Sequence, residues 1–289
     1  MSGRLTGIGV GPGDPELMTL KAVRKIQECD VVAIPVSDRQ LSDPVSDESI
    51  WKSEQISGKT GAENVFKTES GKGESSLLTY VENRTEDSEH WLQKWLSSCV
   101  AYQIALGAAP ELTDKRKLYL PMPMIKEKGK LKRMHDIAAE AVIEYLQAGK
   151  KIVFLTLGDP TVYSTYMYVH HRVAQQGFAT EIVPGIPSFC AASARMNDSL
   201  VENKDELHVI PASYGIEKSL DLSGTKVLMK SGRKMPEVKR ILKAKNAKAT
   251  MVENCGMENE KIYGSVDEIP EDAGYYSLLI VKDSKAGRG

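Results

Sequence analysis

The feature that most constrains the fold is an apolar run of strand length that ends in a glycine–aspartate–proline turn. Residues 151–157 read Lys-Ile-Val-Phe-Leu-Thr-Leu, and Gly158, Asp159 and Pro160 follow directly. An apolar run of this length bounded by turn residues is typical of a buried strand. In α/β proteins small ligands bind at the carboxyl ends of such strands, so this turn is either a ligand-binding corner or an ordinary connection.

The residues after this turn have the spacing of a helix. Apolar side chains recur three or four residues apart between residues 161 and 176, which predicts a helix with one apolar face. Asp159 is a good N-cap residue, and Pro160 suits the first position of a helix. We therefore expect the helix to begin directly behind the turn.

The N-terminal part of the chain predicts a strand–helix–strand unit. Residues 5–11 form a short glycine-interrupted strand, and residues 30–35 form a second apolar strand. Between them lies a helix that Thr19 can cap and that runs to about Cys29. Two strands joined by a helix are usually parallel, so the predicted class is α/β with a parallel sheet.

The polarity of the chain divides it into regions. Residues from about 38 to 89 are rich in Ser, Glu, Lys, Asp and Gly and show no sustained period of two or 3.6. We interpret them as a polar insertion, which is either a solvated excursion or a flap or partner contact. The chain turns polar again around residues 197–205. We therefore predict an N-terminal α/β domain at 1–200 and a C-terminal α/β domain at 204–289, with a ligand cleft between them.

The composition excludes several classes of function. Lys and Arg number 38 and Asp and Glu 39, interspersed, so no basic face indicates nucleic-acid binding. No apolar run approaches the ~20 residues that a membrane span needs, and no signal-peptide pattern opens the chain. The four cysteines lie far apart without a CxxC pair, which favours reduced thiols in a cytoplasmic protein over disulfides or a zinc site.

Common nucleotide-binding motifs each miss a match in this sequence by one residue. A dinucleotide GxGxxG pattern begun at Gly7 meets Pro12 in its last place, and one begun at Gly9 meets Asp14. The segment at 58–60, Gly-Lys-Thr, lacks the glycine that a P-loop requires five places before its second glycine. These mismatches argue against a nicotinamide- or ATP-dependent enzyme.

Three glycine- and proline-rich segments stand in a recognisable order. Residues 9–22 read GVGPGDPELMTLKA, residues 158–160 read GDP, and residues 183–188 read VPGIPS. Together they resemble the tetrapyrrole (corrin/porphyrin) methylases. The resemblance covers roughly residues 4–36 and 98–282, and the order and spacing of the segments are more specific than any one of them.

Longer segments narrow the resemblance. Residues 155–166 read LTLGDPTVYSTY, residues 188–192 read SFCAA, and residues 227–230 read VLMK. They are similar to the precorrin-2 / cobalt-factor II C20-methyltransferases of cobalamin synthesis. The insertion at about 38–89 is longer than the corresponding connection in typical members, and its role stays open.

The resemblance implies that S-adenosylmethionine is the cofactor and that it is held folded in the cleft between the two α/β domains. It also implies a homodimer, which is common in the family. The residues it implies for cofactor binding are Pro12, Leu157, Gly158, Asp159, Val162, Pro187, Ser188, Met229, and Cys255 or Gly256. Their chemistry agrees with this role. Glycine lets backbone approach a ligand closely, a carboxylate accepts hydrogen bonds from hydroxyl or amino groups, and methionine offers soft apolar contact.

The implied reaction is an in-line methyl transfer from a sulfonium to the C20 meso carbon of the macrocycle. Because the methyl donor is intrinsically reactive, positioning and desolvation are the main tasks of the protein, and no universal base is implied. Tyr163 and Tyr166 are the candidates for hydrogen-bonding or orienting groups, with helix-face packing as the alternative role. Asp14 could face the substrate, or it could brace the proline turn.

The implied substrate carries several carboxylates, so the site should offer cations. The available cations are Lys21, Arg24, Arg172, Lys230 and Arg233. No metal ligation by the protein is expected, because the adjacent His170 and His171 point apart on a helix; cobalt would come with the substrate.

Two alternatives stay open from the sequence. One is a methylase of the same fold that acts at another tetrapyrrole carbon or on another acceptor, and the other is a non-catalytic tetrapyrrole-binding protein. The sequence also leaves open whether the substrate is metal-free precorrin-2 or cobalt-factor II.

Overall fold

The computed structural model describes residues 3–37, 52–55, 64–67, 78–79, 93–122 and 127–283. The strands are β1 (Arg4–Gly9), β2 (Val31–Val36), β3 (Lys52–Gln55), β4 (Asn64–Lys67), β5 (Leu78–Thr79), β6 (Arg116–Pro121), β7 (Lys151–Thr156), β8 (Ala179–Val183), β9 (Leu207–Pro211), β10 (Thr225–Met229), β11 (Lys248–Glu253), β12 (Lys261–Tyr263) and β13 (Ser277–Lys282). The α-helices are α1 (Leu20–Glu28), α2 (residues 93–98), α3 (Val100–Ala108), α4 (Lys128–Gln147), α5 (Tyr166–Gln175), α6 (Ser188–Arg195) and α7 (Met235–Ala244). Short 3-10 turns lie at Pro15–Leu17, Pro110–Asp114, Ala212–Tyr214, Ser219–Asp221 and Gly232–Lys234.

The first sheet is parallel throughout. Its five strands stand in the order β6-β2-β7-β1-β8. Its central strands are buried along almost their whole length, which is the pattern of a parallel sheet covered on both faces. The predicted strand–helix–strand unit is confirmed, with the Thr19 hydroxyl accepting from the Ala22 N–H at 3.1 Å to cap α1.

The direction in which the chain moves along the first sheet reverses between β7 and β1. From β1 the chain passes through α1 to β2, toward the β6 end of the sheet. From β7 it passes through α5 to β8, toward the opposite end. In α/β proteins ligands commonly bind at such a switch point, outside the carboxyl ends of the strands. The loops that follow β1, β7 and β8 therefore meet at one edge of the sheet.

The second sheet is mixed and has the order β12-β11-β13-β10-β9. Strands β9 and β10 are parallel, and the other neighbours are antiparallel. Helix α7 packs Val238 and Leu242 onto Leu228, Met251 and Leu279 of this sheet, which gives it a core of its own. The predicted α/β class with two sheets is confirmed; β12, a three-residue strand, was not predicted.

By their internal contacts the residues form two compact units. One unit holds residues 1–11 and 15–185, and the other holds residues 12–14 and 186–289. This division differs from the predicted domains at 1–200 and 204–289, because α6 packs against β13 of the second sheet. The predicted domain limits and the cofactor cleft stay predictions.

The polar insertion contains secondary structure that the sequence pattern did not predict. Strands β3, β4 and β5 pair as an antiparallel three-stranded sheet. Each is two to four residues long, too short to show a period of two. Most of the insertion at 38–89 lies outside the described residues, so its role as a flap or contact stays a hypothesis.

Within the described part of the chain, no helix combines the length and the apolar character required to cross a membrane.

Candidate functional site

Three glycines bring the loops after β1, β7 and β8 into backbone contact. A Cβ atom placed on Gly9 would lie less than 3.0 Å from the Gly158 carbonyl and from the Gly185 backbone. A Cβ atom on Gly185 would equally collide with Gly158 and Gly9. Side chains at these positions would force the loops apart, so the sequence can build this tight junction only with glycine.

The turn after β7 is tied to the end of the first loop. The Gly158 N–H donates to the Gly11 carbonyl at 2.8 Å, and the Gly11 N–H donates to the Gly158 carbonyl at 3.3 Å. Gly158 has φ +70°, in the left-handed region where glycine carries no steric penalty. The predicted sharp glycine turn is confirmed.

Asp159 joins two loops with one carboxylate. Its side chain is only 7% exposed; Oδ1 accepts from the Thr161 N–H at 2.7 Å and Oδ2 accepts from the Gly185 N–H at 3.0 Å. The prediction that Asp159 caps a helix starting at Thr161 is wrong. The carboxylate instead closes a tight turn and fastens it to the loop after β8.

The helix behind the turn begins at Tyr166. Tyr163 has φ +51°, which a right-handed helix does not tolerate, and the Ser164 hydroxyl accepts from the Tyr166 N–H at 3.0 Å. Tyr163 is 44% exposed, and its strained backbone adjoins the Gly158 corner. Strain of this kind concentrates at functional sites, which fits the predicted role of Tyr163.

Tyr166 lies in the core. Its ring is fully buried, packs under Gly7, and its hydroxyl donates to the Glu181 carbonyl at 2.9 Å. Burial raises the pKa of this phenol above its usual range. Because the hydroxyl is already used inside the first unit, the packing role that the sequence left open fits Tyr166 better than substrate contact.

In the second unit the first glycine–proline loop packs against the loop that follows β11. A Cβ atom on Gly13 would lie less than 3.0 Å from the Cys255 carbonyl, and one on Gly256 would lie 2.7 Å from the Asp14 amide nitrogen. Pro12 is buried and Asp14 is half-buried. The structure thus brings together predicted site residues that stand more than 200 positions apart in the chain.

The Cys255–Gly256 loop is held by an ion pair that the sequence did not predict. Glu260 Oε2 accepts from the Gly256 N–H at 2.6 Å, and Arg195 Nε lies 2.8 Å from Glu260 Oε1. A second nitrogen of Arg195, NH2, lies 2.7 Å from the same oxygen. Arg195 is on α6 and Glu260 follows β11, so no local pattern links them.

Nearby charges and burial shift the pKa values of three side chains at this loop, Glu260, Arg195 and Cys255. Burial alone would raise the pKa of Glu260, but the hydrogen bonds from Arg195 and from the Gly256 N–H outweigh it and lower that pKa. The hydrogen bond that Arg195 donates to Glu260 raises the pKa of Arg195, and the nearby Asp14 adds to that rise. Burial raises the pKa of the Cys255 thiol to about 11, so it stays protonated at neutral pH.

The remaining predicted cofactor residues stand at the ends of elements. Leu157 and Val162 flank the Gly158 turn and are half-buried. Met229 is the half-buried last residue of β10. Pro187 is the N-cap of α6 and Ser188 is its first residue, both half-buried.

The family follows from a comparison of the whole chain with protein-family models. The model of the Tetrapyrrole (Corrin/Porphyrin) Methylases matches residues 4–89 and 95–270. The chain belongs to this family. The resemblance noted in the sequence is therefore confirmed for the tetrapyrrole methylases.

Individual relatives of this methylase match over almost their full length. A protein of Methanocaldococcus jannaschii named "Probable cobalt-precorrin-2 C(20)-methyltransferase" is 28% identical over 285 residues, 98% of this chain and 97% of its own. A "Precorrin-2 C(20)-methyltransferase" of Sinorhizobium sp is 29% identical over 290 residues, 96% of this chain and 95% of its own.

A solved structure shares the fold of this methylase. The uroporphyrin-III C-methyl transferase of Thermus thermophilus, complexed with S-adenyl homocysteine, superposes with a TM-score of 0.55. It is 18% identical and covers 97% of this chain and 98% of its own. This likeness shows the fold.

The cations predicted for the substrate of this methylase differ in their surroundings. Lys21 pairs with Glu181 at 2.8 Å, and Arg172 pairs with Asp136 at 2.6 Å, so both charges are used between elements of the first unit.

Among the described residues, no cluster of three His, Cys, Asp or Glu side chains could hold a metal ion.

The residues around the Gly158 corner fit a nucleoside cofactor. A junction of three glycine backbones leaves no side chain between the loops, and half-buried Leu157 and Val162 flank it with apolar surface. Binding sites for small ligands combine such apolar walls with a few placed polar groups.

Proposed function

We propose that this methylase transfers a methyl group from S-adenosylmethionine to C20 of precorrin-2 or of its cobalt complex in cobalamin biosynthesis. The observation that carries the proposal is the near full-length match to two relatives named for this reaction. The match of the family model over both units supports it.

The residues proposed to bind the cofactor are those of the glycine and proline loops. They are Pro12, Leu157, Gly158, Asp159, Val162, Pro187, Ser188, Met229, Cys255 and Gly256. S-adenosylmethionine supplies an electrophilic methyl group on a sulfonium, so the protein has to position and shield the reactants. The glycine junction and the carboxylate of Asp159 hold the first-unit residues of this set in fixed positions.

The substrate-side residues are proposed on exposure and location. Tyr163 is part-exposed beside the Gly158 corner, and its phenol can orient a polar substituent of the macrocycle. Asp14 is half-buried in the first loop, next to Gly256. Neither is required to generate a nucleophile, because the conjugated nitrogens of the substrate can supply electrons to the meso carbon.

Incubation with labelled S-adenosylmethionine and precorrin-2 tests this function directly. Label on C20 of the product is the expected result. Label on another ring carbon would instead establish a methylase of the same fold with different regiospecificity. Tight tetrapyrrole binding without transfer would establish the non-catalytic carrier.

The same incubation with the cobalt complex decides the form of the substrate. The two relatives carry both names, cobalt-precorrin-2 and precorrin-2, so the proposal covers both forms. A ratio of kcat/KM for the two forms above about tenfold would assign the substrate, since tenfold corresponds to about 1.4 kcal/mol of transition-state stabilisation.

We also propose a homodimer in the cytoplasm. The dimer is supported by the family resemblance alone. The reducing compartment is supported by the four cysteines, all of which are free thiols. Multi-angle light scattering of the purified protein would show a mass of twice 31.8 kDa if the dimer exists, and the monomer mass if it does not.

A further inference from the structure

One edge of the second sheet collects the ends of four strands. Pro211 of β9 pairs with Met229 of β10, and Glu253 of β11 pairs with Ser277 of β13. Because β13 runs antiparallel to both β10 and β11, its first residue lies beside the last residues of those strands. The segments at 212–214, 230–234, 254–256 and 273–276 therefore share this edge, which we call the β9–β13 edge.

Exposed tyrosines are concentrated at the β9–β13 edge. Tyr275 is 55% exposed and Tyr276 is 38% exposed, and their rings meet edge to face with centroids 5.2 Å apart. Tyr214, at the end of the turn that follows β9, is 90% exposed. A tyrosine presents a large apolar face with a polar tip, and clustered exposed aromatic rings are typical of binding surfaces.

The loop next to the tyrosine pair carries a cation. A Cβ atom on Gly232 would lie 3.0 Å from the Gly274 carbonyl, so the backbones of these two loops touch. Arg233 and Tyr275 are the next residues on the two touching loops. Arg233 is exposed and, among the described residues, makes no ion pair, whereas its neighbour Lys234 pairs with Glu237 at 2.7 Å.

The loop that carries the tyrosines is fixed by hydrogen bonds. The Gly274 N–H donates to Glu253 Oε1 at 2.7 Å, and the Ser277 hydroxyl donates to the Gly274 carbonyl at 2.8 Å. The Asn254 N–H donates to the Tyr276 carbonyl at 3.0 Å. The rings therefore stand on an ordered loop, which lowers the entropy cost of using them to bind a ligand.

The strained backbone after β10 points to the same edge. Lys230 directly follows Met229 and has φ +59°, a backbone conformation that residues other than glycine seldom adopt. Such strain persists where surrounding structure enforces it, and it clusters at ligand-binding sites.

We propose that Tyr275, Tyr276 and Arg233 form a subsite for the polycarboxylate macrocycle, the rings contacting its flat conjugated surface and the guanidinium pairing with a carboxylate side chain. Both kinds of contact match the ligand chemistry. Aromatic rings meet planar π-systems either stacked or edge to face, so two rings at 82° to each other can contact the same surface. Arginine binds carboxylates through two parallel hydrogen bonds. The inference rests on the proposed function, because it takes the ligand class from there.

The test measures macrocycle and cofactor binding separately. Uroporphyrin III, a stable octacarboxylic porphyrin, is titrated by its absorbance change, and S-adenosylhomocysteine is titrated by calorimetry. We expect Tyr275→Leu and Arg233→Gln each to weaken uroporphyrin binding by about fivefold or more, from the lost stacking and the lost charged hydrogen bonds. S-adenosylhomocysteine affinity should stay within about twofold of wild type, because neither exposed side chain belongs to the residues proposed to bind the cofactor.

Matched variants separate a binding role from a structural one. Tyr275→Phe keeps the ring and should retain uroporphyrin affinity. If the tyrosine acted only through its hydroxyl, this variant would lose affinity. Arg240→Gln removes the same charge from an exposed position on α7 and should leave uroporphyrin binding unchanged.

Two outcomes overturn the proposal in different ways. If the wild-type protein methylates the tetrapyrrole but Tyr275→Leu and Arg233→Gln bind uroporphyrin and turn over substrate like wild type, the subsite is wrong and the function stands. If the wild-type protein neither binds uroporphyrin nor transfers methyl groups to any tetrapyrrole, the proposed function and the subsite both fail.

Discussion

Asp159 holds two loops together with one side chain. Its two carboxylate oxygens accept backbone N–H groups from its own turn and from the loop after β8. Buried backbone donors need partners, so the carboxylate decides whether these loops can lie against each other. A residue predicted from the family resemblance to contact the cofactor is therefore also the residue that shapes the loops around it.

Replacing Asp159 with alanine should weaken cofactor binding while leaving the fold intact. The change leaves the Thr161 and Gly185 N–H groups without their acceptor, at a cost of about 1–3 kcal/mol for each buried donor that water does not reach. We expect S-adenosylhomocysteine affinity, measured by calorimetry, to fall, and Asp159→Asn, which keeps one acceptor oxygen, to be intermediate. Unchanged affinity in the alanine variant would count against the assigned cofactor site.

The glycine junction gives a second prediction at this scale. Gly185→Ala places a methyl group within 3.0 Å of the Gly158 carbonyl and the Gly9 backbone, so overpacking should destabilise the protein by about 1–3 kcal/mol. Gly129→Ala is the control, since no atom lies within 4 Å of its Cβ position in α4. It should be neutral or stabilise by up to about 1 kcal/mol. Urea unfolding measures both, and equal stabilities of the two variants would contradict the close approach.

Ion pairs join elements that are distant in sequence. In the second unit Arg195 of α6 and Glu260 hold the Gly256 amide beside the first loop. In the first unit Glu181 of β8 pairs with Arg4 of β1 and with Lys25 of α1. Exposed pairs contribute little to stability, but a pair that also holds a backbone group sets the position of a loop.

Glu260→Ala should loosen the loop after β11 and raise the dissociation constant of S-adenosylhomocysteine, by about tenfold if one charged hydrogen bond of roughly 1.5 kcal/mol is lost. Glu260→Gln keeps an acceptor for the Gly256 N–H and should recover part of the affinity. Asp267→Asn, which breaks the Lys243–Asp267 pair in the same unit, is the control. Should the control weaken binding as much as Glu260→Ala, a general loss of stability rather than loop positioning would be responsible.

Glu181 predicts a pH dependence of stability. Burial alone would raise the pKa of Glu181, but hydrogen bonds and charge from Lys25 and Lys21 outweigh it and lower that pKa to about 2. A carboxylate whose pKa is lower in the folded state stabilises the protein above its unfolded pKa and loses this contribution as pH falls. Stability should therefore drop between about pH 4.5 and pH 2, by about 1–2 kcal/mol after solvent screening. Glu181→Gln should flatten this part of the profile in urea unfolding, and an unchanged slope would exclude Glu181 as its source.

At the scale of the whole molecule, the cysteines differ in their exposure to solvent. Cys29 is buried in the first unit and Cys255 in the second, and burial raises the pKa of each thiol to about 11. Cys190, on α6, is exposed. Thiol reactivity requires both access and the thiolate form, so burial protects Cys29 and Cys255 twice.

A thiol-reactive disulfide reagent at pH 8 should therefore label Cys190 first and leave Cys29 and Cys255 unmodified in the folded protein. In guanidinium chloride all four cysteines should react at one rate, because burial is removed. Mass spectrometry of time points identifies the labelled residue. Rapid labelling of Cys255 in the native protein would contradict its buried position.

Much of the first sheet could be predicted because its signals are local. The apolar run of β7, the N-cap Thr19 of α1 and the sharp turn at Gly158 are each decided by residues close in sequence. Strands β3, β4, β5 and β12 escaped prediction because two to four residues carry no usable period.

The sequence by itself determined the α/β class, the glycine corner and the family, since these depend on local propensity and on ordered motifs. Tertiary structure decided where α5 begins, because Asp159 also binds the Gly185 N–H and Tyr163 has a positive φ. It also decided that Tyr166 is a core residue. It alone revealed the Arg195–Glu260 pair and the contact of Gly13 with Cys255. The physical reason is common to all of these: each depends on a hydrogen bond, charge or close contact between residues far apart in the chain, which no local pattern records.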